Sequence, residues 1–167
     1  MIFDFNKHAE KGNRFLRDLA AELGNRNDTK KAEKILAAAF FALRNHLTVQ
    51  ENFQLLAQLP IALKGAYVHN WSPEKKRKVS RKRNDFIMEY LSHSDKNSMF
   101  SVADMERGNE EIHAAFRVLN KHISSGEFKN IEDVLPSQLK KLLRENAEVK
   151  KVTIKLITKN EDALSTD

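Results

Sequence analysis

The chain has 167 residues, 41% of them apolar and 31% charged, with five glycines, three prolines and no cysteine. That length suits one compact domain or two small ones sharing a core. The composition favours helix over sheet and excludes disulfides and thiolate metal sites. The net charge of +6 is local: Lys75, Lys76, Arg77, Lys78, Arg81, Lys82 and Arg83 fall within nine residues that hold no acid, and the remainder carries 22 basic against 23 acidic residues.

The first residues, Met1-Ile2-Phe3-Asp4-Phe5-Asn6, lack the basic start and apolar stretch of a signal peptide. The longest apolar run, Ile35 to Leu43, is too short to span a bilayer. With the absence of cysteine, these features read as a cytoplasmic protein with no membrane association.

Phe15, Leu16, Leu19, Ala20 and Leu23 recur at helical spacing and predict an amphipathic helix from about Lys7 to Leu23. Gly24 suits the left-handed residue that closes it. Asn27 or Asp28 can cap a second helix that ends near Leu47. Leu36, Phe40, Leu43 and Leu47 form one stripe of that helix. Ala37, Ala38, Phe41 and Ala42 widen the apolar surface, so it is expected to be buried on more than one side. Thr48-Val-Gln-Glu51 is a capping box and opens a third helix. Pro60 pushes Leu59 out of helical geometry and can take the first position of a short fourth helix.

The same order then returns. Residues 36–64 align without a gap to 112–140, and ten of the 29 pairs are identical; unrelated stretches of average composition would share about two. The identities include Phe40/Phe116, Leu43/Leu119, His46/His122, Glu51/Glu127 and Pro60/Pro136. Ser124-Ser-Gly-Glu127 repeats the capping box. Phe86, Ile87, Tyr90 and Leu91 echo Phe15, Leu16, Leu19 and Ala20, with about five extra residues in the loop within His93 to Met105. The second main helix is expected from about Asp104 to Ile123. The expected fold class is therefore an all-α helical bundle of two pseudo-symmetric four-helix repeats, spanning 1–73 and 84–148, joined by a basic linker at 74–83. Beyond them Val152, Ile154 and Leu156 alternate with polar residues. This period of two is strand-like, but a strand would need a partner, and only Ile2-Phe3-Asp4-Phe5 offers one. The expected form of the tail at 149–167 is therefore irregular and packed, with the short strand pair as the alternative and residues 159–167 disordered.

Five features are candidates for function. The basic run (Lys75, Lys76, Arg77, Lys78, Arg81, Lys82, Arg83) can neutralise phosphates, or it can simply keep a linker solvated. No aromatic residue interleaves with it, and Trp71 is the nearest. His46 and His122 are paired by the repeat and fit boundary histidines bonded to a backbone carbonyl. Glu110-Glu-Ile-His113 holds the Glu-x-x-His spacing of helical di-iron sites. The paired stretch, Lys34-Ile-Leu-Ala37, cannot bind metal, so the match reads as chance and no metal or cofactor is expected. Trp71 either anchors an interface or closes the core where the chain leaves the first repeat. Phe41 points about 100° away from Phe40, and its pair is Arg117. It is expected to pack against the other repeat or a second subunit.

Leu56-Ala-Gln-Leu-Pro60, Leu63-Lys64, Tyr67-Val68, Trp71 and Pro73, set within the repeats, resemble a bacterial family known as domain of unknown function 2267. The likeness covers roughly Gly12 to Leu143 and implies an all-helical fold with two similar halves. No activity accompanies the resemblance, so the catalytic residues are unknown. Glu132-Asp-Val-Leu-Pro136 departs from the first half's Leu-Ala-Gln-Leu-Pro, as do the basic linker and the insertion after His93.

No phosphate-binding glycine loop, Gly-x-Ser-x-Gly or His-Glu-x-x-His is present. The sequence thus points first to a non-catalytic protein-interaction or structural module, with an unknown protein or a second copy as partner. Nucleic-acid or other polyanion binding through the linker stands second. An enzyme with an unrecognised acidic site stands third.

Overall fold

A computed structural model describes residues 4–73, 80–95, 97 and 99–144. Among them the chain is all-α, with eight helices and no strand. These are α1 (Phe5–Glu22), α2 (Thr29–His46), α3 (Val49–Gln58), α4 (Ile61–Val68), α5 (Arg83–Asp95), α6 (Val102–His122), α7 (Ser125–Val134) and α8, whose described part spans 137–144. No helix among the described residues is long and apolar enough to cross a membrane. The expectations for 149–167, including the terminal strand pair, lie outside the described residues.

Local chemistry sets most of the boundaries. Asp4 and Asp28 cap α1 and α2 by accepting from the backbone N–H groups of Lys7 and Lys31. Gly24 adopts φ 95°, which an L side chain would resist, and so ends α1. Thr48 with Glu51, and Ser124 with Glu127, form the two expected capping boxes. Leu59 and Leu135 are extended (ψ 146° and 142°) because each precedes a proline.

Three boundaries differ from the sequence reading. Pro60 is the N-cap of α4 and not its first residue: its ψ of 149° is extended, and its carbonyl accepts from Leu63 and Lys64, both at 2.9 Å. The second main helix opens at Val102, two residues early, because Ser101 and Asp104 make a third capping box. Arg83 is the first residue of α5, so the connection ends one residue sooner than expected.

The core is one cluster drawn from both halves of the chain. Phe40 and Phe116, Leu43 and Leu119, Leu59 and Leu135, and Leu63 and Leu139 are all buried. Helix α1 lies on α2, and α5 lies on α6; α2 also meets α5, α1 meets α6, and α3 meets α7. At Gly108 in α6 a Cβ would come within 2.9 Å of Leu91 Cδ2, so the glycine lets α5 and α6 close together.

Candidate interaction surface

Helices α3 and α4 leave apolar side chains in solvent. Val49 and Phe53 are one turn apart on α3 and exposed at 47% and 55%. Ile61 and Val68, two turns apart on α4, are exposed at 47% and 39%. The Phe53 ring meets Trp71 edge-on at 5.8 Å, and Trp71 meets buried Tyr67 at 6.3 Å. The fold does not demand this surface. Continuing the repeat alignment, the paired positions are Ser125, Lys129, Ser137 and Arg144.

Trp71 is held by a connected polar network. The Tyr67 hydroxyl donates to Asn52 Oδ1, and Asn52 Nδ2 donates to the carbonyls of Arg44, Leu47 and Thr48 at 3.0–3.2 Å. Burial pushes the Tyr67 hydroxyl well above its ordinary pKa, although Arg44 pulls it down, so it remains a donor. Arg44 donates to the carbonyls of Tyr67 (2.6 Å) and His69 (2.8 Å), which closes α4 and sets the exit of the chain toward Trp71. Trp71 itself is half-buried, shared between core and surface.

Of the basic run, Lys75, Lys76, Arg77 and Lys78 lie outside the described residues. Arg81 pairs with Glu51, in the first turn of α3, at 3.2 Å. Lys82 is exposed, and Arg83 donates to Asn109 of α6 at 3.0 Å. On either side of the run's first residues, Trp71 meets Phe53 and Arg81 meets Glu51, both on α3, while Arg83 meets α6.

Phe41 stacks on His93 of α5, with ring centroids 4.3 Å apart and 11° between planes. Its contact is with the other half of the same chain. Its sequence pair, Arg117, instead donates to Glu22 of α1 at 2.6 Å.

The two histidines part company. His46 is buried, contacts the Ala42 carbonyl through Nδ1 at 3.0 Å and packs edge-on against Phe86. His122 packs against Phe15, but its Nε2 lies 2.8 Å from Asp18 Oδ2. The expected backbone partner is thus corrected for His122, because α1 brings a carboxylate to this position. His122 and Asp18 border a cleft of about 430 Å³ between α1, the start of α4 and the end of α6, with Lys11, Arg14 and Lys121 on its walls.

Glu110 and His113 do not converge, since Glu110 is exposed and His113 buried. Among the described residues no group of three or more histidines and carboxylates could hold a metal. The buried carboxylate is Glu111, which accepts from the Tyr90 hydroxyl at 2.7 Å and pairs with Arg107 at 3.3 Å. Arg107 also reaches Asp95 and Asp104. Burial first, then Glu111, pushes the Tyr90 hydroxyl far above its ordinary pKa. This network ties α5 to α6 and satisfies the buried charge.

The sequence analysis missed Val49, Phe53, Ile61 and Val68, although comparing them with Ser125, Lys129, Ser137 and Arg144 marks them. It also missed the cleft, for which no local signal exists. What fold and surface define is an all-helical protein with one shared core and exposed apolar side chains on α3 and α4, where Trp71 and Arg81, on either side of the connection, both meet α3. The family described as "Uncharacterized conserved protein (DUF2267)" matches residues 12–142, and the chain belongs to it. No curated protein matches the chain.

Proposed function

We propose that this protein is a non-catalytic, cytoplasmic protein-interaction module built from two pseudo-symmetric four-helix halves. The symmetry is supported by the paired helix contacts, α2 with α5 answering α6 with α1. A chain without cysteine suits a reducing compartment. The observation that carries the functional reading is the contrast between Val49, Phe53, Ile61 and Val68, all exposed, and the Ser, Lys, Ser and Arg at the paired positions. Exposed apolar residues grouped on neighbouring helices, where the paired half carries polar ones, support a contact surface.

The partner is a different protein that offers apolar side chains with acidic flanks. Two copies meeting through this surface would bring like basic charge together, which favours a different protein over a self-interface. Arg81, exposed and paired with Glu51 of α3, carries charge complementary to an acidic rim, and the sequence between Lys75 and Arg83 adds six further cations. The test is capture from native extract with wild type and with Val49→Ser/Phe53→Lys/Ile61→Ser. A partner lost by the variant, then rebound from pure components and crosslinked to α3, upholds the reading. Equal capture by both refutes it.

A second reading rests on the rings of Phe53 and Trp71, with Arg81 also against α3 and the basic run following Trp71 in the sequence, features able to stack bases and neutralise phosphates of single-stranded nucleic acid. It predicts binding that falls steeply with salt. Replacing Lys75, Lys76, Arg77 and Lys78 with serine should flatten the slope, as read by fluorescence anisotropy. Absence of binding at low salt removes this reading.

A further inference from the structure

We propose that the cleft between α1, α4 and α6 binds the phosphate group of a small phosphorylated molecule, at a site separate from the apolar face. Its volume of about 430 Å³ lies in the range of small-ligand sites. Its floor includes buried Phe15 and Leu63, and its walls carry Lys11, Arg14, Lys121 and His122.

The charges in the cleft are not balanced from within. Its one carboxylate, Asp18, faces His122 Nε2 at 2.8 Å. Lys121 shares Glu22 with Arg117, and Arg117 is closer, at 2.6 Å against 3.3 Å. Arg14 reaches Glu10 at 3.7 Å with both side chains largely exposed, a pair worth little. Among the described residues Lys11 has no ion-pair partner. Three cations around one engaged carboxylate suit a dianionic oxyanion better than a monocarboxylate.

The paired half lacks this arrangement. Lys11, Arg14 and Lys121 pair with Lys82, Asp85 and Asn45, so the paired positions hold one cation and one acid in place of three cations. The basic walls are therefore not a requirement of the fold. The apolar floor gives an organic group somewhere to rest, which inorganic phosphate would leave unused.

Isothermal titration calorimetry on the full chain, at matched ionic strength, tests this with inorganic phosphate and adenosine monophosphate as probes. Wild type should bind at least one probe saturably, one to one. Lys11→Ser/Arg14→Ser should weaken that binding about tenfold or more, and Lys121→Glu should do the same. Circular dichroism melting checks that the variants stay folded, as their exposed positions suggest. Tighter binding of the nucleotide identifies an organic phosphate as the ligand. Equal binding identifies the free anion, and both results uphold the site. No saturable binding by wild type overturns the proposal. So does unchanged binding in the folded variants, or binding lost when Lys75, Lys76, Arg77 and Lys78 become serine.

Discussion

The contact of α2 with α5 and that of α6 with α1 use paired positions to opposite chemical effect. On α2, Phe41 stacks on His93 and Asn45 donates to Glu89 at 2.5 Å. On α6, Arg117 and Lys121 hold Glu22, and His122 meets Asp18. Beneath both rims the same pattern persists: His46 lies edge-on to Phe86, and His122 edge-on to Phe15. The buried apolar positions are kept, while the rim changes from aromatic to ionic. Packing constrains the former, because a cavity is costly wherever it opens. More exposed pairs such as Lys121–Glu22 are worth little to folding, and Lys121, with His122 and Asp18, lines the cleft.

The largest test of this comparison is in the core. Phe40→Ala and Phe116→Ala should each cost about 3–5 kcal/mol in urea unfolding. A cost below 1 kcal/mol for either would mean that the two sites are not equally packed.

The rims should separate by salt. Arg117→Ala should cost about 1 kcal/mol or less at low ionic strength, and less again in high salt as screening grows. Phe41→Ala should cost more, and its cost should change less with salt, since the ring contributes mainly by apolar burial and stacking. Equal salt dependence for the two variants would erase the distinction.

The smallest effects are at the caps. Thr48→Ala and Ser124→Ala should each cost about 1 kcal/mol. Hydrogen bonds from the Ser124 backbone and hydroxyl hold the Glu127 carboxyl below its ordinary value. Its folded pKa is therefore lower than its unfolded one. Its contribution is present at neutral pH and is lost as pH falls through the ordinary carboxylate range to the folded value. Urea unfolding from pH 7 to pH 3 should show a shallower loss for Ser124→Ala than for wild type.

What was legible in the sequence follows the range of the forces involved. Capping boxes act over three residues, Pro60 and Pro136 act on their neighbours, and Gly24 acts through its own φ, so each could be read in place. The paired phenylalanines and leucines were legible because burial repeats with the helix. The Ser101 cap was also local, though its Asp104 stands where a glutamate was sought. The cleft was not legible, because Lys11, Lys121 and Pro60 meet only when three helices pack. The exposed apolar residues were hidden for a related reason: Val49 and Phe53 have sound helical spacing, and only the lack of a covering helix among the described residues sets them apart from core residues.

The most direct test gives the first half the surface of the second. Val49→Ser/Phe53→Lys/Ile61→Ser should unfold within about 1 kcal/mol of wild type, as surface changes do, while losing the partner that wild type retains. A variant destabilised by more than about 2 kcal/mol that still binds the partner would show that these side chains serve the fold, and would contradict the account.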